Sequence, residues 1–323
     1  MIRNLMISDR EPIALELRQV SYQMRQQAIL RDVDLSIPAG SQTAIVGCMG
    51  VGKSTLLRLL NRLIEPTNGK IYYQGQDLAK IAVSDLRGQI MLLPQQTSLL
   101  GMSGRDAIAY PLRLRDFSKE AIAQRLEKWT DLLQIESKLL QSHEVQLSTG
   151  QKQWLAIARA LVTEPAVLLL DEPTTHLDLG RAELLLDILS HLRAEPHDRV
   201  NFPIQPNQPS QPDNSMLELA NTANHAIDSG EQLRSPKPTT VIMVTQQIDL
   251  ISNWGDFVVQ IEAGRSPNLQ RREQVNWPDL QNSLRFNQNT QFETVQPEQI
   301  KPIDAIDPGQ NSPPAAELDQ DWD

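Results

Sequence analysis

The sequence predicts an α/β fold: a mixed, largely parallel sheet with a helical insert. Three observations carry this. Short apolar runs at 43–46, 167–170 and 241–245 have the unbroken character of strands buried on both faces. A nine-residue glycine loop, from Gly47 to Thr55, follows the first of these runs and enters a helical pattern. Residues 104–164 read mainly as helix, and they separate the early strands from the later ones.

Each element has its own signal. Ile13, Leu15 and Leu17 alternate with residues that suit solvent, which is the period of a half-buried strand. Residues 30–37 alternate more loosely. From 53 to 64, Leu56, Leu57, Leu59, Leu60, Leu63 and Ile64 recur at helical spacing, so the loop joins strand to helix. Pro66-Thr67-Asn68-Gly69 marks a turn, and 71–73 follows as a strand. Inside the helical stretch one run spans 119–140 and another 151–162. Residues 256–261 read as the final strand.

Two segments break this order. Residues about 193–238 are rich in Pro, Asn, Gln and Ser, a composition that buries too little apolar surface to offset chain entropy. A loop of this length inside a compact domain is unusual, so the stretch is read as an insertion. Residues 266–323 have the same character and are read as a disordered acidic tail. Residues 1–11 are read as an N-terminal extension, leaving one domain over 12–265. The net charge of −10 is uneven: from Ser266 onward there are ten acidic and four basic residues. This balance argues against a nucleic-acid partner, whose phosphates are bound by Lys and Arg surfaces. Cys48 is the single cysteine, which excludes an intrachain disulfide. The first nine residues lack a long apolar run, so no signal peptide is read. No run reaches the ~18–20 apolar residues that cross a bilayer. If this protein serves a membrane, another chain does the crossing.

The chemistry concentrates in two places. Gly47-Cys48-Met49-Gly50-Val51-Gly52-Lys53-Ser54-Thr55 fits the phosphate-binding P-loop pattern, with strand before and helix after. Its glycines let successive N–H groups face the β- and γ-phosphates of a nucleotide, and the helix adds its positive end. Lys53 supplies a point charge, and the Ser54 hydroxyl is placed for Mg²⁺. Asp171 closes a buried apolar strand, where a carboxylate is costly unless paired or facing a metal, so it is assigned to hold Mg²⁺. Glu172 follows it, where a carboxylate can polarise an attacking water.

Between loop and carboxylates lies Leu147-Ser148-Thr149-Gly150-Gln151. With this set the chain resembles the ATP-binding cassette (ABC) ATPases, most closely the nucleotide-binding subunits of ABC transporters. The resemblance covers roughly residues 13–265 without the insertion. It implies a P-loop NTPase core with a RecA-like mixed or parallel sheet, plus antiparallel β and α-helical subdomains. It implies ATP and Mg²⁺ as ligands and Glu172, Lys53 and Gln246 as catalytic residues. It makes residues 147–151 a signature offered in trans, with Ser148 and the backbone around Gly150 approaching the γ-phosphate held by another chain. Gln95 takes the place of a glutamine that senses Mg²⁺ or water, and Asp178 that of an aspartate contacting the opposite subunit. Tyr22 stands where an aromatic stacks on adenine; a plain strand-end tyrosine is the other reading. The implied partners are a second copy or a paired ABC subunit, and a transmembrane permease. The implied location is the cytoplasm, at the inner face of the cell membrane.

The chain also departs from the family pattern. Thr149 replaces the usual first glycine of the signature, where a side chain is expected to restrict the loop. Trp154 stands where Arg is usual. His176 is atypical and is read as an interface or surface residue. Gln246 occupies the place of the switch histidine. Glutamine is neutral at every pH but still donates an amide N–H. Either it substitutes and hydrolysis persists, which the intact Lys53, Asp171 and Glu172 favour, or the chain binds ATP and hydrolyses it poorly. The implied role is an ATP-hydrolysing transporter subunit. The alternatives are a soluble cassette of the cofactor-assembly type and a degenerate regulatory cassette. Cys48 is read as a small residue that fits the loop, with a reactive thiol near the helix N-terminus as the alternative.

Overall fold

In the computed structural model, which describes residues 12–192, 238–262 and 266–284, the chain opens as a hairpin. Strand β1 (Ile13–Met24) pairs with β2 (Gln27–Pro38). Strand β3 (Gln42–Val46) runs through the glycine loop into α1 (Lys53–Leu60). Strands β4 (Asn68–Tyr73) and β5 (Gln76–Asp77) then join the hairpin in an antiparallel sheet of order β2-β1-β4-β5. Helix α2 (Val83–Gln89) leads into β6 (Ile90–Leu93). Four helices follow: α3 (Gly104–Arg113), α4 (Lys119–Leu132), α5 (Ser137–Gln141) and α6 (Thr149–Leu161). The chain re-enters the sheet at β7 (Val167–Asp171), leaves along α7 (Leu179–His191) and returns at β8 (Thr240–Val244). Helix α8 (Ile248–Ile251), β9 (Phe257–Gln260), β10 (Asn268–Arg271) and helix α9 at 277–284 complete it. The second sheet has the order β10-β9-β3-β8-β7-β6; all its pairs are parallel except β10 on β9.

The unbroken apolar strands are explained by what covers them. Successive side chains point to opposite faces. Val46, Leu168, Leu170, Val241 and Met243 enter a core shared with α3 to α7. Ile45, Leu169, Ile242, Val244 and Val259 enter another, shared with α1 and the antiparallel sheet. Both faces are dry, so neither needs polar residues. The nucleotide loop, the end of β7 and the end of β8 therefore emerge together at one edge of a rigid layer.

Three boundaries differ from the sequence expectation. The helix expected over 53–64 ends at Leu60. Asn61 caps it and donates from Nδ2 to the Ile90 carbonyl at 2.6 Å, while Arg62 turns left-handed at φ 53°. The run expected over 119–140 is two helices. Gln134 adopts φ 51°, Ile135 N–H reaches back to the Thr130 carbonyl, and the Trp154 indole N–H takes the Leu133 carbonyl at 3.1 Å. A buried donor from α6 thus satisfies the end of α4 and leaves no need for the helix to continue.

The third correction concerns the tail expected to be disordered from 266. Its first part is built into the fold. Strand β10 extends the sheet edge, and Leu269 and Leu280 are buried. Val275, Trp277 and Leu284 pack on the core that faces the helices. These few apolar residues sit at the right spacing in a polar background. Leu280→Ala is expected to cost about 2 kcal/mol, read as a lower urea midpoint at unchanged slope. The N-terminal extension expected over 1–11, the insertion over 193–237 and the tail over 285–323 lie outside the described residues. No helix among the described residues is long and apolar enough to cross a membrane.

Candidate functional site

The loop between β3 and α1 is shaped by its glycines. Gly50 and Gly52 adopt φ 75° and 104°, which L side chains disfavour. A Cβ on Gly47 would lie 2.5 Å from the Ile261 carbonyl oxygen, and one on Gly52 would lie 2.9 Å from Leu30. The loop is thus held against β9 on one side and the hairpin on the other. Cys48 is half-buried, Met49 is exposed at the tip, and Val51 packs on the hairpin-side core. Thr55, half-buried in the first turn of α1, completes the motif. Tyr22 faces Leu30 across the hairpin and is half-buried, one neighbour away from Gly52.

Lys53 is buried and folds back on the loop, donating from Nζ to the Gly47 and Cys48 carbonyls at 2.7 Å each. Burial pushes the ammonium below its ordinary pKa, opposed by the charges of Glu172, Cys48 and Asp171. Next to it, Ser54 Oγ donates to Asp171 Oδ1 at 3.0 Å. Burial pushes the Asp171 carboxyl above its ordinary range, with the Ser54 hydrogen bond opposing. Two hard oxygen donors, one a buried carboxylate whose charge burial penalises, fit Mg²⁺. Gln95 is exposed in the bend after β6 and makes no hydrogen bond to this pair among the described residues.

Glu172 sits where β7 ends and adopts φ 49°, a left-handed conformation that costs a glutamate about 1–2 kcal/mol. It is held there by several contacts. Its N–H donates to the Val244 carbonyl at 2.9 Å. Gln246 Nε2 donates to Oε1 at 2.5 Å, and Thr175 Oγ1 donates to Oε2 at 3.1 Å. Such over-determined strain is characteristic of working sites. Lys53, Ser54, Asp171, Glu172 and Gln246 are therefore brought together through β3, β7 and β8.

The signature region is the start of α6. Leu147 is buried, and Ser148 is the N-cap. Its hydroxyl oxygen accepts from Gln151 N–H at 3.3 Å, while its own N–H donates to Gln151 Oε1 at 2.9 Å. This capping box leaves the hydroxyl proton free to donate outward. The expected restriction by Thr149 does not arise. Thr149 is the first residue of α6, exposed and with negative φ. The neighbouring glycine is the constrained one: a Cβ on Gly150 would lie 2.5 Å from the His176 carbonyl oxygen. His176 is exposed, and Asp178 caps α7 by accepting from Arg181 N–H at 3.0 Å.

Residue types alone did not single out four contributors: Thr174, Thr175, Gln247 and Gln153. Gln153 is buried, accepts from Thr97 Oγ1 and donates to the Pro173 carbonyl, each at 3.2 Å. It thus ties α6 to both the bend of Gln95 and the turn of Glu172. The only available signal was adjacency: each of these residues neighbours a motif.

The order of P-loop, capped signature turn and paired carboxylates is that of one known family. The ABC transporter family profile matches residues 30–175. Those residues belong to the ABC transporter family. The methionine import ATP-binding protein MetN of Cupriavidus metallidurans is 41% identical to the chain over 170 residues, 51% of this chain and 49% of that protein. The sulfate/thiosulfate import ATP-binding protein CysA of Synechococcus elongatus is 40% identical over 190 residues, 58% of this chain and 53% of that protein. The chain thus spans about half the length of the curated relatives it matches. Among solved structures, the post-hydrolysis dimer of the cassette MJ0796 with ADP and Pi gives a TM-score of 0.61 at 23% identity, covering 80% of this chain and 98% of that one. An Atm1-family ABC exporter with ATP bound gives 0.61 at 22% identity, covering 91% and 44%. At that identity the likeness speaks for the fold: the cassette has a P-loop NTPase sheet with antiparallel and helical parts around it.

Proposed function

We propose that the cassette is the ATP-binding and ATP-hydrolysing subunit of an ABC transporter, powering a separate membrane permease through ATP-driven dimerisation. The observation that carries this is Glu172, strained at φ 49° and held on both carboxylate oxygens beside the P-loop. Relatives named as import ATP-binding proteins support a permease partner and favour import as the direction. The subunit would lie in the cytoplasm at the inner face of the membrane.

In this reading the loop N–H groups and Lys53 hold the β- and γ-phosphates, and Tyr22 stacks on the adenine. Ser54 and Asp171, with Gln95 as a third oxygen donor, would hold Mg²⁺, which neutralises charge on the phosphate oxygens. Glu172 accepts the proton of the attacking water. Gln246 spends one amide hydrogen on Glu172 and keeps the other for a γ-phosphate oxygen. Ser148 and the start of α6 in a second copy, or in a paired ABC subunit, close over the same phosphate, with Asp178 at the contact.

Phosphate release from Mg-ATP by the purified chain, alone and with its permease, tests the proposal. Lys53→Ala is expected to weaken ATP binding by roughly ten- to a hundredfold, because a charge-assisted contact is lost. Absence of turnover in both settings, or ATP binding indifferent to Lys53, would overturn it.

A further inference from the structure

Gln247, the residue after the switch glutamine, grips the turn of Glu172 from another side. Its Oε1 accepts from Thr174 Oγ1 at 2.6 Å, and its N–H donates to Thr245 Oγ1 at 3.0 Å. Thr174 is buried and Gln247 exposed, so the hydrogen bond is part-buried and its donor end is fixed by the surrounding core. Gln246 and Gln247 therefore hold alternate residues of one turn, Glu172 and Thr174. Gln247 is itself fixed from behind. It precedes α8, whose Ile248 and Ile251 are buried in the core facing the helices. Helix α9 covers the same place: Leu280 enters that core, and Gln281 Nε2 donates to Asp249 Oδ1 at 3.2 Å. Nothing in this chain of contacts needs the nucleotide.

We infer that Gln247 is a positioning residue for hydrolysis, which through Thr174 fixes the turn that aims the Glu172 carboxylate. The inference rests on the ATP-hydrolysing reading of the site. It predicts a loss confined to the chemical step, since Gln247 supports the general base and holds no phosphate-binding group.

The test compares Gln247→Met, which removes the acceptor at similar length, with Thr174→Val, which removes the donor at the same shape. Thr174→Ser retains the donor. Each variant is assayed for kcat, KM for ATP and thermal midpoint. Gln247→Met and Thr174→Val are each expected to lower kcat by on the order of tenfold, since small misalignments of a catalytic group are costly. KM for ATP should stay within about twofold, the signature of an interaction used only in the transition state. Thr174→Ser should restore most of the rate, and the double variant should be no slower than either single one. Unchanged kcat in Gln247→Met, losses that multiply in the double variant, or a Thr174→Ser as slow as Thr174→Val would overturn the inference. A wild-type chain without Glu172-dependent turnover would instead overturn the functional reading beneath it.

Discussion

Glu172→Gln is expected to reduce phosphate release by about 10³-fold while ATP still binds, because it removes a general base without changing shape. The side chain keeps its length, and the backbone bond to the Val244 carbonyl is untouched. One of its two oxygens becomes an NH2 group, so the amide oxygen can accept from Gln246 Nε2 while the Thr175 hydroxyl turns to accept from the new NH2. The main loss is the negative charge. That charge sits close enough to Lys53 to raise its pKa against the effect of burial, so it also lies near the place where γ-phosphate charge would gather. Neutralising it removes a like-charge repulsion toward ATP, so affinity should hold or improve. A variant that binds but does not hydrolyse should accumulate in the closed state. Light scattering with ATP should show a dimer for Glu172→Gln at concentrations where the wild-type chain is mixed or monomeric. Residual turnover within tenfold of wild type would mean that another group takes the proton, and the assignment of Glu172 would fall.

How much of this was legible in the sequence depends on the kind of signal. The P-loop was fully legible because its constraint is local: φ at Gly50 and Gly52 and close packing at Gly47 demand those residues in that order. The parallel strands were legible because burial on both faces leaves an unbroken apolar run. The pairing of Glu172 with Gln246 was visible only as a family expectation, since 74 positions separate them and no local pattern links them. The end of α4 was hidden because a residue in another helix, Trp154, decides it. The order of 266–284 was hidden for a different reason. Composition averages over a window, and Leu269, Trp277, Leu280 and Leu284 are too few to shift an average rich in Asn and Gln. A helical spacing of three and four residues among the last three was the available signal.

Gln246→Ala is expected to lower kcat by roughly ten- to a hundredfold, the equivalent of one hydrogen bond to a charged group lost in the transition state. Alanine leaves Glu172 Oε1 without its amide partner, so only Thr175 restrains a side chain carried on a left-handed backbone. Substitution with histidine then separates two accounts of this chain. If Gln246 is a working replacement, Gln246→His should change kcat by less than about threefold, because a ring N–H replaces an amide N–H as donor. If glutamine marks a degenerate cassette, histidine should raise kcat by about tenfold or more, restoring what the site lacks. The pH profile gives an independent reading. The amide has no titration, so the wild-type rate should show no inflection from residue 246. A histidine there should add an inflection near its ordinary pKa of about 6.5, displaced upward by the adjacent Glu172 carboxylate. The geometry favours the first account: the amide already donates to the Glu172 carboxylate, and its neighbour Gln247 holds the other end of the same turn. Two successive glutamines engaged on alternate residues of the Glu172 turn are the arrangement that a working replacement requires.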